Sequence, residues 1–363
     1  MRIDSEPDFS HASPDRVGVV LVNIGTPAEP TAPAVRRYLG RFLADPRVVE
    51  IPRWLWLPLL HGVILNVRAR KSAAKYAAIW LDEGSPLEVY TRAQAERLGE
   101  HLRATHGDRV IVAHAMRYSD PDVDAVLARL RAAGCNHFVI IPLYPQYAAA
   151  TTASSMDAVF GFMQRQRHLP ALRFVKHYHD HPRFIAALAA RVRAHWAQNG
   201  EPEVLLMSFH GLPRRSLDLG DPYHCECMKT ARLLAEALGL ARDRWTVSFQ
   251  SRFGANRWLE PYTIEVVRSL AARGVRRLDV VAPSFVSDCL ETLEEIGIEI
   301  RDEFLEAGGE RFSAIPCLNQ DAAWIEALAD MAEREMAGWV PMTDAHALQE
   351  RAARAASMGA PGH

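Results

Sequence analysis

No stretch of this chain approaches the ~20 consecutive apolar residues that a membrane-crossing helix requires. The longest run, Trp54–Leu60, continues past His61 and Gly62 to Leu65 and is interrupted by Pro58. Neither sign of charge dominates: 42 Lys and Arg against 44 Asp and Glu leave a formal net charge of -2. Nothing in that balance draws nucleic acid or an anionic membrane to the molecule as a whole. Cysteine is scarce, and its count of five is odd, which argues against a disulfide framework and fits a reducing cytoplasm. Met1–Pro14 is polar and carries acidic residues, so no signal peptide is expected. Both familiar phosphate-cradling loops are missing. Val22-Asn23-Ile24-Gly25-Thr26-Pro27 has a glycine turn but no G-x-G-x-x-G, and no G-x-x-x-x-G-K-[ST] occurs. A nicotinamide oxidoreductase and a P-loop nucleotidase are therefore disfavoured.

What is present is an alternation. Of 363 residues, 49% are hydrophobic and 24% charged, a soluble composition with room for two domains. Continuous Val/Ile/Leu runs predict strands over Val17–Val22, Val110–Ala115, Phe138–Leu143, Leu172–Val175, Val204–Phe209, Thr246–Phe249 and Leu278–Ala282. Amphipathic stretches between them predict helices over Val123–Ala133, Arg183–Ala197, Lys229–Leu238 and Ile264–Arg273. Short unalternating strands separated by helices indicate an α/β fold, its parallel sheet covered on both faces. Val110–Tyr118 and Thr246–Gly254 each lead past an Arg into a helix that closes on a glycine, Gly134 or Gly274, before the next strand. The chain is either two related units facing each other across a cleft, or α/β units alike by chance.

Two strands run straight into polar groups. Leu205–Phe209 ends at His210, beside Gly211; Leu278–Phe285 leads into Ser287-Asp288-Cys289-Leu290-Glu291-Thr292-Leu293-Glu294-Glu295. Ligands of open α/β sheets bind outside the carboxyl ends of strands. An imidazole on one strand end and a carboxylate row after another suit proton removal and cation handling. Glu291 and Glu295 are spaced to share one helix face. His177-Tyr178-His179-Asp180-His181 has metal-ligand composition, but Pro182 follows and nothing adjacent closes a ligand set; it reads as structural or surface. Cys225-Glu226-Cys227 has two sulfurs and no second pair nearby, an improbable zinc or iron–sulfur site unless Cys135, Cys289 or Cys317 joins through the fold.

The longer motifs resemble the ferrochelatase family, in its Gram-negative bacterial form. They are Leu21-Val22-Asn23-Ile24-Gly25-Thr26-Pro27, Gly84-Ser85-Pro86-Leu87, Pro142–Tyr147, Ser208-Phe209-His210-Gly211-Leu212-Pro213, Gly220-Asp221-Pro222-Tyr223, Phe249-Gln250-Ser251-Arg252, Trp258-Leu259-Glu260-Pro261 and Ser287–Glu295. The likeness runs from about Gly18 to Asn319. It implies two Rossmann-like domains with a porphyrin cleft between them. The division expected is a flexible tail over 1–15, a first domain over 16–174 with a helix at about 320–340 packing back, a second over 175–319, and a flexible tail over 341–363.

The resemblance also implies a function: insertion of Fe²⁺ into protoporphyrin IX to give protohaem, the last step of haem synthesis. By position His210 and Glu291 are the catalytic pair and the metal ligands, with Asp288 and Glu295 as a supporting acidic row. Tyr76, Ser85, Arg68, Ile24 and Trp258 resemble porphyrin-contacting positions. Two departures matter: Cys289 stands where animal members have His, and no Cys follows Cys317, so no iron–sulfur cluster is expected. Coproporphyrin III as substrate stays open. So do two rival functions, a chelatase for cobalt with an earlier tetrapyrrole and a non-catalytic tetrapyrrole carrier. No nucleic-acid partner is expected. Trp54–Leu60, followed by the basic Arg68, Arg70 and Lys71, is expected to cover the pocket or to contact a membrane surface peripherally.

The chemistry wants these residues. Metal insertion strips water from the ion and removes two pyrrole protons. A neutral imidazole, with an ordinary pKa of ~6.5, accepts a proton near neutral pH, and carboxylate oxygens replace the water of a hard divalent ion.

Overall fold

In the computed structural model of the chain, residues 3–7, 10–254, 256–340 and 345–360 are described. The first half carries strands β1 (Arg16–Asn23), β2 (Val110–Met116), β3 (Cys135–Pro142) and β4 (Ala171–Phe174). The second carries β5 (Val204–His210), β6 (Trp245–Gln250), β7 (Arg277–Val281) and β8 (Arg311–Ala314). Each set forms a four-stranded sheet, ordered β2-β1-β3-β4 and β6-β5-β7-β8, and every pairing is parallel. Val19, Val20, Leu21 and Val22 are fully buried, as a parallel strand covered by helices on both faces must be.

The expected duplication is visible strand for strand. The N–H at the end of β2, Met116, donates to Pro121 O at 2.8 Å; the N–H near the end of β6, Phe249, donates to Pro261 O at 2.8 Å. A helix follows each, Val123–Ala132 and Thr263–Ala272. Both are followed by a glycine in the positive-φ region, Gly134 at 88° and Gly274 at 93°, which an L side chain would resist.

Seven strands fall where periodicity put them. The eighth, β8, was not anticipated: Arg311-Phe312-Ser313-Ala314 is a short edge strand with every residue half-buried, so it lacks an apolar run. The helix expected from Lys229 starts earlier, at Tyr223, and runs to Leu238. Residues 345–357, expected as a tail, form a helix, and Arg351 donates to the carbonyls of His11 and Ser13. Asp4 and Glu6 pair with Arg165 and Arg131. The N-terminal stretch is thus tied to the first half, and the C-terminal helix to that stretch.

The two halves share one hydrophobic core. Val19, Leu21 and Ile141 of the first sheet belong to the same buried cluster as Leu205, Met207 and Phe209 of the second, bridged by Phe184, Trp324 and Leu328. The helix Ala322–Met336 packs on the helices Pro86–His106 and Pro182–Asn199 and on β3. Buried glutamines stitch the seam. Gln94 Nε2 donates to Asn319 O at 2.7 Å and Ser287 Oγ at 2.9 Å, and Gln146 Nε2 to Thr230 Oγ1 at 3.0 Å.

At the strand ends of the first half, Asp45 is 6% exposed and accepts from Ser154 Oγ at 2.6 Å, Tyr118 OH at 2.8 Å and Arg117 Nη2 at 2.9 Å. Burial pushes its pKa up, but those bonds, the Arg47 N–H and the Arg117 charge outweigh it and hold the carboxyl below its ordinary value. Its contribution is therefore present above the unfolded-state pKa and fades as pH falls through the lower folded value. Asp45→Asn is expected to destabilise the protein by about 3 kcal/mol, the scale for breaking a buried ion pair. Urea unfolding at pH 7 checks it, and the gap to wild type should narrow in acid.

Candidate active site

His210 is the last residue of β5, opposite Gln250 on β6. Its N–H donates to Ser284 Oγ at 3.2 Å and its carbonyl accepts from Tyr223 OH at 2.9 Å. The ring Nδ1 lies 2.6 Å from Gly211 O. A carbonyl oxygen only accepts, so Nδ1 carries the proton and the neutral ring keeps its lone pair on Nε2. That nitrogen can take a proton or bind a metal. Gly211 is required here by space: a Cβ would stand 2.6 Å from Gln250 O and 3.2 Å from the Trp258 ring.

The carboxylates sit on Glu291–Ile300, which is a π-helix rather than the ordinary helix expected from the spacing. Its i→i+5 ladder is wider than that of an α-helix, and such segments are frequent at functional sites. Gln250 Nε2 bonds to this helix twice, donating to the main-chain carbonyl of Glu291 at 2.9 Å and to the Glu295 carboxylate at 3.1 Å. Glu295 also accepts the Ser251 N–H at 2.7 Å and the Ser251 hydroxyl. Burial raises its pKa above the ordinary value; the hydrogen bonds from Ser251 and Gln250 pull the other way. Glu291 accepts from the Cys289 thiol and lies in electrostatic reach of the buried phenols Tyr38 and Tyr76. Glu295 is thus in electrostatic reach of both His210 and Glu291.

Asp288 is not part of an open acidic row. It is 5% exposed and accepts from Asn319 Nδ2 at 2.7 Å, Thr292 Oγ1 at 2.9 Å and the Cys317 N–H at 3.2 Å. Its oxygens are occupied in anchoring the start of the wide helix.

The expected porphyrin positions are placed unevenly. Tyr76, on the helix Leu65–Ile79, is buried against Leu290 and Leu293, and Ser85 is buried and accepts from Thr26 Oγ1 at 2.7 Å. Arg68, half-buried, stacks over the Phe253 ring at 4.1 Å. Ile24 is half-buried. Trp258 lies against Gly211, with its buried Nε1 lacking a hydrogen-bond partner. Lys75 Nζ reaches Glu294 at 2.9 Å and Glu299 at 2.5 Å, fastening the lip to the wide helix.

A family profile described as ferrochelatase matches residues 16–336. The chain belongs to the ferrochelatase family. Curated ferrochelatases from Aromatoleum aromaticum, Azoarcus sp. and Herminiimonas arsenicoxydans are similar along their whole length. The first is 54% identical over 357 residues, covering 98% of each chain. The second is 58% identical over 362 residues, covering 99% of each. The third is 55% identical over 351 residues, covering 97% of this chain and 95% of that one.

Two residues of this ferrochelatase-family site carried no role in the sequence reading, Gln250 and Ser251. Ser251 has φ of 64°, a left-handed conformation costing an L residue roughly 1–2 kcal/mol, offset by its two bonds to Glu295. Such strain gathers at functional sites, but a lone Ser after a strand does not signal it. Gly211→Ala is expected to displace Trp258 or the Gln250 carbonyl and turn His210 away. The measurement is activity alongside thermal melting, and a loss on the order of 100-fold is expected, as when catalytic groups are misplaced by an ångström.

Proposed function

We propose that the cleft inserts Fe²⁺ into protoporphyrin IX, yielding protohaem and two protons, with His210 and Glu291 in the central roles. His210 serves as proton acceptor, metal ligand or both. Glu291 is a metal ligand and proton conduit, and Glu295 extends the row. The observation that carries the reading is the His210 ring: its Nδ1 is committed to Gly211 O, so the basic lone pair lies on Nε2. Iron and porphyrin are substrates here, and the kind of ring follows the ferrochelatase name of the relatives.

Each pyrrole proton needs an acceptor as its nitrogen takes the metal. Neutral imidazole provides one near neutral pH. A carboxylate raised by burial, as Glu295 is, accepts a proton more readily than an ordinary one and can hand it outward. The guanidinium of Arg68 suits a propionate, and Ile24, Tyr76, Ser85 and Trp258 suit the rim of a large flat ring. Anaerobic iron insertion into protoporphyrin IX, followed by loss of porphyrin fluorescence, tests the assignment. Wild type should turn over. His210→Ala and Glu291→Gln should lose at least ~100-fold, the usual contribution of a positioned acid or base, while still binding porphyrin. Binding without turnover in wild type would instead identify a carrier.

The lip also suits peripheral membrane contact. Leu55, Leu59, Val63 and Val67 recur every fourth residue, are 47–59% exposed, and stand beside Trp54 at 76%; Arg53, Arg70 and Lys71 flank them, all exposed. An apolar stripe edged with bases suits an anionic interface. Trp56 is no part of that face: it is 5% exposed and its Nε1 donates to Leu43 O at 2.6 Å. Among the described residues no helix is long and apolar enough to cross a membrane. Sedimentation with phosphatidylglycerol vesicles should fall on Trp54→Ser with Leu59→Ser, and iron insertion in detergent should not.

A further inference from the structure

Outside the cleft, three side chains meet with the composition of a metal site. His177 and His179 lie on the irregular segment between β4 and the helix Pro182–Asn199, where the first half passes into the second. Glu226 lies on the helix Tyr223–Leu238. His177 Nδ1 is 2.6 Å from Glu226 Oε1, and His179 Nδ1 is 3.3 Å from Glu226 Oε2. One ligand atom from each lies within 4.8 Å of the others, and among the described residues no other His/Cys/Asp/Glu trio comes so close.

Ordinary hydrogen bonding accounts for part of this cluster. His177 and Glu226 satisfy each other, and Glu226 Oε2 also takes the Tyr147 N–H at 2.7 Å. His179 is different. Its side chain is 7% exposed, and its Nδ1 is buried with no hydrogen-bond partner although it faces the carboxylate. A buried polar atom left so costs stability unless something satisfies it. Its backbone cannot drift away, because Thr230 Oγ1 donates to His179 O at 2.8 Å.

We propose that His177, His179 and Glu226 bind one divalent transition-metal ion of the zinc class. The donors are the two imidazoles and the Glu226 carboxylate, with a fourth position open to water on the exposed His177 side. Two imidazoles and a carboxylate select Zn²⁺, Co²⁺ or Fe²⁺ over Ca²⁺ and Mg²⁺, which prefer oxygen sets. With metal–ligand bonds of ~2.0–2.2 Å, tetrahedral donors stand roughly 3.3–3.5 Å apart. His179 already stands at that distance from Glu226 Oε2; His177, 2.6 Å from Oε1, has to open slightly there, and the trio, spread over as much as 4.8 Å, has to draw in. His177, with a side chain 39% exposed, is free to do so. Such an ion would pin the connector between the halves to a helix of the second half. It would also brace the Tyr147 loop through Glu226, remote in role from metal insertion.

The test is Zn²⁺ titration of the full chain against a chromophoric chelator, in a His210→Ala background that removes the cleft imidazole. One equivalent should bind, and His177→Ala should weaken it on the order of 100-fold while circular dichroism stays unchanged. Excess Zn²⁺ should raise the melting temperature of the His210→Ala protein and leave that of the double variant unmoved. Co²⁺ should give the intense visible bands of a tetrahedral site, lost in the double variant. Stoichiometric binding and a melting shift that both survive His177→Ala, or no stoichiometric binding in the His210→Ala protein, would overturn the assignment.

Discussion

The carboxylate of Asp288 is buried, and donors from Thr292, Cys317 and Asn319 converge on it, while its own N–H goes back to Asn319 Oδ1 at 2.8 Å. A buried charge is tolerated when its lone pairs are filled in this way. Asn319 holds a φ of 48°, a left-handed conformation that asparagine adopts more readily than most residues. The Asn319 carbonyl in turn receives Gln94 from the first half. The point at which the wide helix begins is thus fixed from both halves at once. Glu291 and Glu295 take their places from that point, and the cleft's electrostatics depend on it.

The same α/β unit is used twice to different ends. In the first half the polar groups beyond the strands satisfy one another: Arg117, Tyr118, Ser154 and Asp45 close into a network. In the second half the corresponding region leaves groups with capacity to spare. His210 retains a lone pair on Nε2, and Glu295, although it receives three donors, carries a pKa raised by burial. The duplicated frame closes its polar groups on one another on one side and leaves them with unfilled capacity on the other.

Much of this was legible in the chain. Strands buried on both faces announce themselves as Val/Ile/Leu runs, so β1 and β5 were placed to within a residue or two, and His210 falls at the end of β5. Pattern fails where the cause is tertiary. β8 has no apolar run because it is an edge. The π-helical ladder leaves no trace in a spacing that an α-helix would share. Asp288 looks like another member of the row until Asn319 and Cys317, distant in sequence, fill its oxygens. Trp54 and Trp56 are alike as letters, yet Leu43 O claims the indole of one and solvent surrounds the other. His177 and His179 lacked a closing ligand because Glu226 comes from a later helix.

The buried cluster shared by both sheets has a kinetic meaning. Opening the molecule like a book would tear Leu21 and Ile141 from the neighbours they share with Leu205 and Phe209, a global cost rather than a hinge motion. The lip is fastened as well: Ala69, Ala73, Tyr76 and Ile79 are buried with Val35, and Lys75 pairs with Glu294 and Glu299. Relative motion of the two sheets is thus coupled to unfolding, and His210 and Glu295 keep their separation for as long as that core holds.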